Sequence, residues 1–173
     1  MLSLAEARAL HDEVAVIDLH ADTPMLVHVA GYDPNARHGR KLPKGANLIG
    51  HVDVPRMRDG GVAAQIFGMW TVPYPEAFCR ASIHRQMDVM DRAIERSEGN
   101  MIRCWTGADI RLAKQAGAIA ALAGIEGAQA LQGDPGRVTE FAKRGVRYIG
   151  LLHFTANALG RPAHGRGADE HMG

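Results

Sequence analysis

Residues 14–24 read Val14-Ala15-Val16-Ile17-Asp18-Leu19-His20-Ala21-Asp22-Thr23-Pro24, an apolar run that takes on three polar side chains at alternate positions before a proline stops it. Successive side chains of a strand point to opposite faces, so Asp18, His20 and Asp22 share one face. The run at 14–17 has the composition of a parallel strand covered on both sides. Parallel strands need crossover connections, usually helical, so this stretch directs the chain toward an α/β fold. Two carboxylates and an imidazole at the end of such a strand are costly to bury unless something neutralises them, and a divalent cation is the simplest neutraliser.

The rest of the chain repeats the pattern. Residues 27–47 hold glycine, proline, histidine and basic side chains with little periodicity and predict a long surface loop. A short helix over 51–61, closed by Gly60-Gly61, leads into a second apolar run at 62–70 that is interrupted only by Gln65. A helix over 76–98 follows, with Ile83, Met87, Met90 and Ile94 forming one apolar stripe at helical period. Residues 101–105 form a short extended piece, and Thr106 with Asp109 three residues on predicts a capped helix to Gln115. A third apolar run, 119–125, ends in Glu126-Gly127. Asp134-Pro135 then predicts an N-cap with proline at the first helical position, with Val138, Phe141 and Ala142 on the inner face and Gly145 at the end. A fourth run, 146–152, finishes at His153.

Strands alternating with helices predict a parallel sheet, and polar residues at strand C-termini are the arrangement of a (β/α)8 TIM barrel. Four strands do not close such a barrel. The expected fold is therefore an incomplete barrel of about four parallel strands with crossover helices over residues 1–158. A glycine-rich loop at a truncated end follows over 159–173.

Twenty Lys+Arg against nineteen Asp+Glu leave a net charge of +1, which argues against nucleic acid as a partner. No run approaches the roughly 20 apolar residues that span a bilayer. Cys79 and Cys104 are too few for a disulfide framework and lack zinc-site spacing, which points to a reducing compartment and a cytoplasmic protein.

His20, Asp22, Glu126 and His153 are all expected on the same rim. Imidazole nitrogen and carboxylate oxygen suit zinc, and a carboxylate shared between two ions is a common way to set a two-metal site. Asp18, two residues earlier, is expected to orient His20 from behind. Each residue also has a plainer reading: His20 as a hydrogen-bonded core histidine, Asp22 as an N-cap before Pro24, and Glu126 as the first-turn acid of a following helix.

Four strings carry a family resemblance, in order along nearly the whole chain: residues 17–24, residues 52–67 (beginning Val52-Asp53-Val54-Pro55-Arg56), Gly124-Ile125-Glu126-Gly127-Ala128, and Tyr148-Ile149-Gly150-Leu151-Leu152-His153-Phe154-Thr155-Ala156-Asn157. Together they resemble the membrane (renal) dipeptidase family of zinc peptidases. The resemblance implies that His20 and Asp22 bind one zinc, that Glu126 bridges two, and that His153 contacts substrate at the reaction centre. It implies zinc-dependent hydrolysis of dipeptides by a metal-activated water. Members of that family are about twice this length and hold the second zinc with two later histidines that have no counterpart here. His164 and His171 read as loop histidines rather than the missing ligands. The expectation for this polypeptide alone is poor stability or inactivity, with its open sheet edges leaving room for a homo-oligomer. Two other readings stay open, a non-catalytic metal- or peptide-binding protein and another metal-dependent amidohydrolase.

Overall fold

A computed structural model of the chain describes residues 3–39, 50–71 and 74–165. Each apolar run becomes a strand, and the short extended piece becomes one more. The strands are β1 (Val16–Ala21), β2 (Val62–Trp70), β3 (Met101–Arg103), β4 (Ile119–Glu126) and β5 (Val146–Ile149). All pairings are parallel. The order is β1-β2-β4-β3, with β5 also on β4. β3 pairs with residues 119–121 and β5 with residues 123–125, so the two short strands lie end to end along the same side of β4. The sheet is thus four positions wide but holds five strands rather than four.

The helices are α1 (Leu4–Glu13), α2 (Thr23–Ala30), α3 (Val54–Gly60), α4 (Glu76–Glu95), α5 (Gly107–Gln115) and α6 (Arg137–Lys143), with a 3-10 turn at Ala128–Leu131. None of the described helices is long and apolar enough to cross a membrane. The stripe read from the sequence of α4 is its buried face: Ile83, Met87 and Met90 pack with Phe67, Met69 and Ile125 from the sheet. α3 adds Val54 and Met57 to that layer, and α6 adds Phe141. On the opposite face α5 covers the N-terminal half, where Ile110 and Ala113 meet Ala64, Ile66, Ala120 and Leu122. The C-terminal half of that face carries polar side chains.

Four expectations need correction. The strand run does end before Pro24, but the proline occupies the first turn of α2, where its missing N–H costs nothing, so residues 27–30 are helical rather than loop. Residues 40–49 of that expected loop lie outside the described residues. β1 is not buried throughout: among the described residues it is an edge strand paired only with β2, and Ile17 and Leu19 are exposed. Asp134 does not cap α6. Its Oδ1 accepts from the Gly136 N–H and a turn fills 134–136, so the helix starts at Arg137 and leaves Val138 and Ala142 on the surface. The last run stops pairing at Ile149, and Leu151 lies exposed.

Candidate functional site

The strand register builds the site. β2 against β4 sets Gly68 beside Gly124 and Trp70 beside Glu126, and β4 against β5 sets Tyr148 beside Gly124. Above the two glycines the sheet face has no side chains of its own, and two rings occupy that space. A Cβ on Gly68 would lie 2.3 Å from Cε1 of His20, and one on Gly124 would lie 2.3 Å from Cζ of Tyr148. A glycine inside a strand often marks such a close approach.

His20 arrives from β1. Its Nε2 is 3.1 Å from Oδ1 of Asp22 and 3.4 Å from Oε2 of Glu126. Asp22 holds the N-cap position of α2 yet makes no capping hydrogen bond; its carboxylate turns to His20 instead. Glu126 is the last residue of β4, and the ligand atoms of His20, Asp22 and Glu126 lie within 4.8 Å of one another. One imidazole nitrogen and two carboxylates form a donor set suited to a divalent cation.

His153 lies four residues beyond β5 and reaches the same carboxylate from the other side, with Nε2 3.5 Å from Oε1 of Glu126. Its side chain is only 13% exposed. The ring stands edge-on to Trp70 and tilts against Phe154 at a centroid distance of 4.2 Å. Nδ1 of His153 and Nε1 of Trp70 are buried without a hydrogen-bond partner among the described residues. The main chain of Trp70 is held by Gln86, whose amide donates to the Trp70 carbonyl and accepts from the Trp70 main-chain N–H.

The four expected site residues therefore converge on one rim. Asp18 does not hold the His20 ring; its Oδ1 accepts from the main-chain N–H of His20. The ring is held by Tyr148, whose hydroxyl is 2.6 Å from Nδ1. Burial, and after it the carboxylates of Glu126, Asp22 and Asp18, push the Tyr148 phenol up to about 12, so it stays protonated at neutral pH. His164 is not among the grouped residues, and His171 lies outside the described residues. Composition and periodicity did not single out Tyr148 or Trp70. The signal that points to them is the pair of glycines, Gly68 and Gly124, inside otherwise apolar runs.

The family model for membrane dipeptidases, peptidase family M19, matches residues 4–171. The chain belongs to the membrane dipeptidase family. Among its curated relatives, dipeptidase ataJ of Aspergillus terreus is 31% identical over 89% of this chain and 39% of its own length. Dipeptidase verJ of Clonostachys rogersoniana is 27% identical over 90% of this chain and 42% of its own. The chain thus spans about two fifths of these dipeptidases. Among solved structures, a probable dipeptidase, PvdM, from Pseudomonas aeruginosa overlays with a TM-score of 0.76 at 16% identity, covering 93% of this chain and 40% of that one. A metallopeptidase from Rhodobacter sphaeroides, liganded with a phosphinate mimic of L-Ala-D-Ala, overlays at 0.66 and 20% identity, covering 86% and 49%. These likenesses show the fold: the five parallel strands are part of the (β/α)8 barrel of the membrane dipeptidases.

Proposed function

We propose that this is the N-terminal part of a zinc-dependent dipeptidase, in which His20 and Asp22 hold one ion and Glu126 is shared between two. The observation that carries this reading is the convergence of the three donor groups within 4.8 Å at the ends of two parallel strands and the turn after one of them. A zinc ion supplies Lewis acidity: it polarises a carbonyl and brings the pKa of water to about 7. Glu126 presents its two oxygens in different directions, Oε2 toward His20 and Oε1 toward His153, so the carboxylate is not committed to a single neighbour. His153, shielded between Trp70 and Phe154, is placed to donate to a carbonyl oxygen as charge develops on it, in surroundings where a hydrogen bond counts for more than in water. A dipeptide substrate is supported by the curated dipeptidases and by the relative that takes a phosphinate dipeptide mimic.

The test is zinc binding by this polypeptide, and dipeptide hydrolysis by the whole dipeptidase of which it is proposed to be part, each compared with its His20→Ala and Glu126→Gln variants. Loss of zinc binding and of turnover in the variants supports the reading. Wild-type zinc affinity in His20→Ala overturns it.

A further inference from the structure

The metal reading uses one nitrogen of His20, and the other nitrogen decides which tautomer the ring adopts. Nδ1 lies 2.6 Å from the Tyr148 hydroxyl, while Nε2 faces Asp22 at 3.1 Å. The contact is set by three paired strands. Tyr148 pairs with Gly124 across β4–β5, and Gly124 pairs with Gly68 across β2–β4. His20 lies over Gly68 and Tyr148 over Gly124, so the rings approach each other above a glycine floor, their centroids 6.3 Å apart.

We propose that Tyr148 is the positioning residue for His20, its hydroxyl holding Nδ1 so that Nε2 is the nitrogen presented to a metal ion. The proposal rests on the reading of His20 as a ligand and assigns a role to a residue from a different strand. A neutral imidazole carries one proton. With that proton on Nε2 it donates to Asp22, and Nδ1 accepts from the Tyr148 O–H. A cation at Nε2 requires that nitrogen's lone pair. One proton then leaves Nε2 for water and one joins Nδ1 from water, so the charge on the ring does not change. Nδ1–H now donates to the Tyr148 oxygen, and the phenol hydrogen turns away to another acceptor. A carboxylate or a carbonyl at Nδ1 accepts only and would hold one tautomer. A hydroxyl both donates and accepts, so it holds the ring in the same place in both forms.

The test has a readout independent of turnover. Imidazole 15N resonances of His20, followed in the metal-free protein and through a zinc titration, should show the Nε2–H form giving way to the Nδ1–H form. Tyr148→Phe removes only the oxygen. Gly124→Ala keeps the oxygen and displaces the ring. Both variants should bind zinc about 10–100-fold more weakly, the usual loss for an outer contact of a metal-bound histidine, and without zinc the Nδ1 resonance of His20 should move to that of a nitrogen with no hydrogen bond. A wild-type Nδ1 resonance together with wild-type zinc affinity in Tyr148→Phe would overturn the proposal. If the wild-type protein binds no zinc, the metal reading fails, yet the metal-free Nδ1 comparison still decides whether Tyr148 holds the ring.

Discussion

Glu126 concentrates the chemistry of the rim in one side chain, because each of its oxygens faces a different histidine. Glu126→Gln keeps the shape and removes the charge. The expected result is zinc affinity reduced by more than the roughly 10–100-fold typical of outer contacts, with little change in melting temperature. Competition against a chromophoric chelator and a thermal melt of the same sample check both halves; a variant that loses zinc only because it unfolds would show a lowered melt. Gly68→Ala attacks the same ion from below, since the added carbon would meet the His20 ring at 2.3 Å. It should weaken zinc binding while leaving Glu126 and His153 untouched. His20, Asp22, Glu126 and His153 were legible in the sequence because polar groups stand out at the ends of apolar runs. Tyr148 was not. Its role depends on the register between β4 and β5, which no local pattern encodes. Asp18 was misread for the opposite reason: alternation puts it on the face of His20, but only the folded backbone shows that its carboxylate accepts from the main chain rather than the ring.

Elements carry their signals unequally. α5 was legible to the residue: Thr106 Oγ1 accepts from the Asp109 N–H, and Asp109 accepts in return from the N–H of Thr106. Thr106→Ala should cost about 1 kcal/mol, read as a lower urea midpoint with an unchanged slope. The sequence predicts α6 two residues early because Asp134-Pro135 matches both a helix cap and an Asx turn, and in the structure the Gly136 N–H bonds the Asp134 carboxylate in the turn. β1 reads as buried from its composition, yet burial depends on a strand's place in the sheet, and among the described residues β1 is an edge strand that pairs with β2 alone. α4 and α6 are joined by Glu140, which accepts from Arg80 and from His84. Burial works to raise the Glu140 carboxyl, but the hydrogen bonds of Arg80 and His84 outweigh it and hold the group below its ordinary value of 4.5. A carboxyl lowered on folding stabilises the fold above its unfolded pKa, and that stabilisation is lost as pH falls through the folded value. Arg80→Ala should therefore cost less than about 1 kcal/mol at pH 7, given that the pair is partly solvated, and the difference from wild type should shrink in urea melts as the pH is taken below the ordinary carboxyl value.

At the scale of the molecule, the sheet ends in two apolar borders. On one side Ile17 and Leu19 of β1 are exposed, and on the other Leu151, Phe154 and Leu159 beyond β5. The second border continues into a surface groove of about 560 Å³ along α6 and β5, lined in part by Val138, Ala142 and Val146. The inner face that the sequence predicts for α6 is a wall of this groove, where Val138 and Ala142 are apolar and exposed among the described residues. A contiguous apolar surface beside an unpaired parallel strand edge favours association through both hydrophobic burial and strand pairing. The 173-residue polypeptide by itself is therefore expected to self-associate at micromolar concentration in dilute buffer. Sedimentation velocity measures this directly. Leu19→Lys places a charge on the β1 edge without touching the rim residues His20 and Glu126, and it should shift the distribution toward monomer. Val138→Lys tests the groove in the same way, and the two effects should add, because the borders lie on opposite sides of the sheet. A wild-type polypeptide that sediments as a single monomeric species over the same range would show that these apolar borders are tolerated in water.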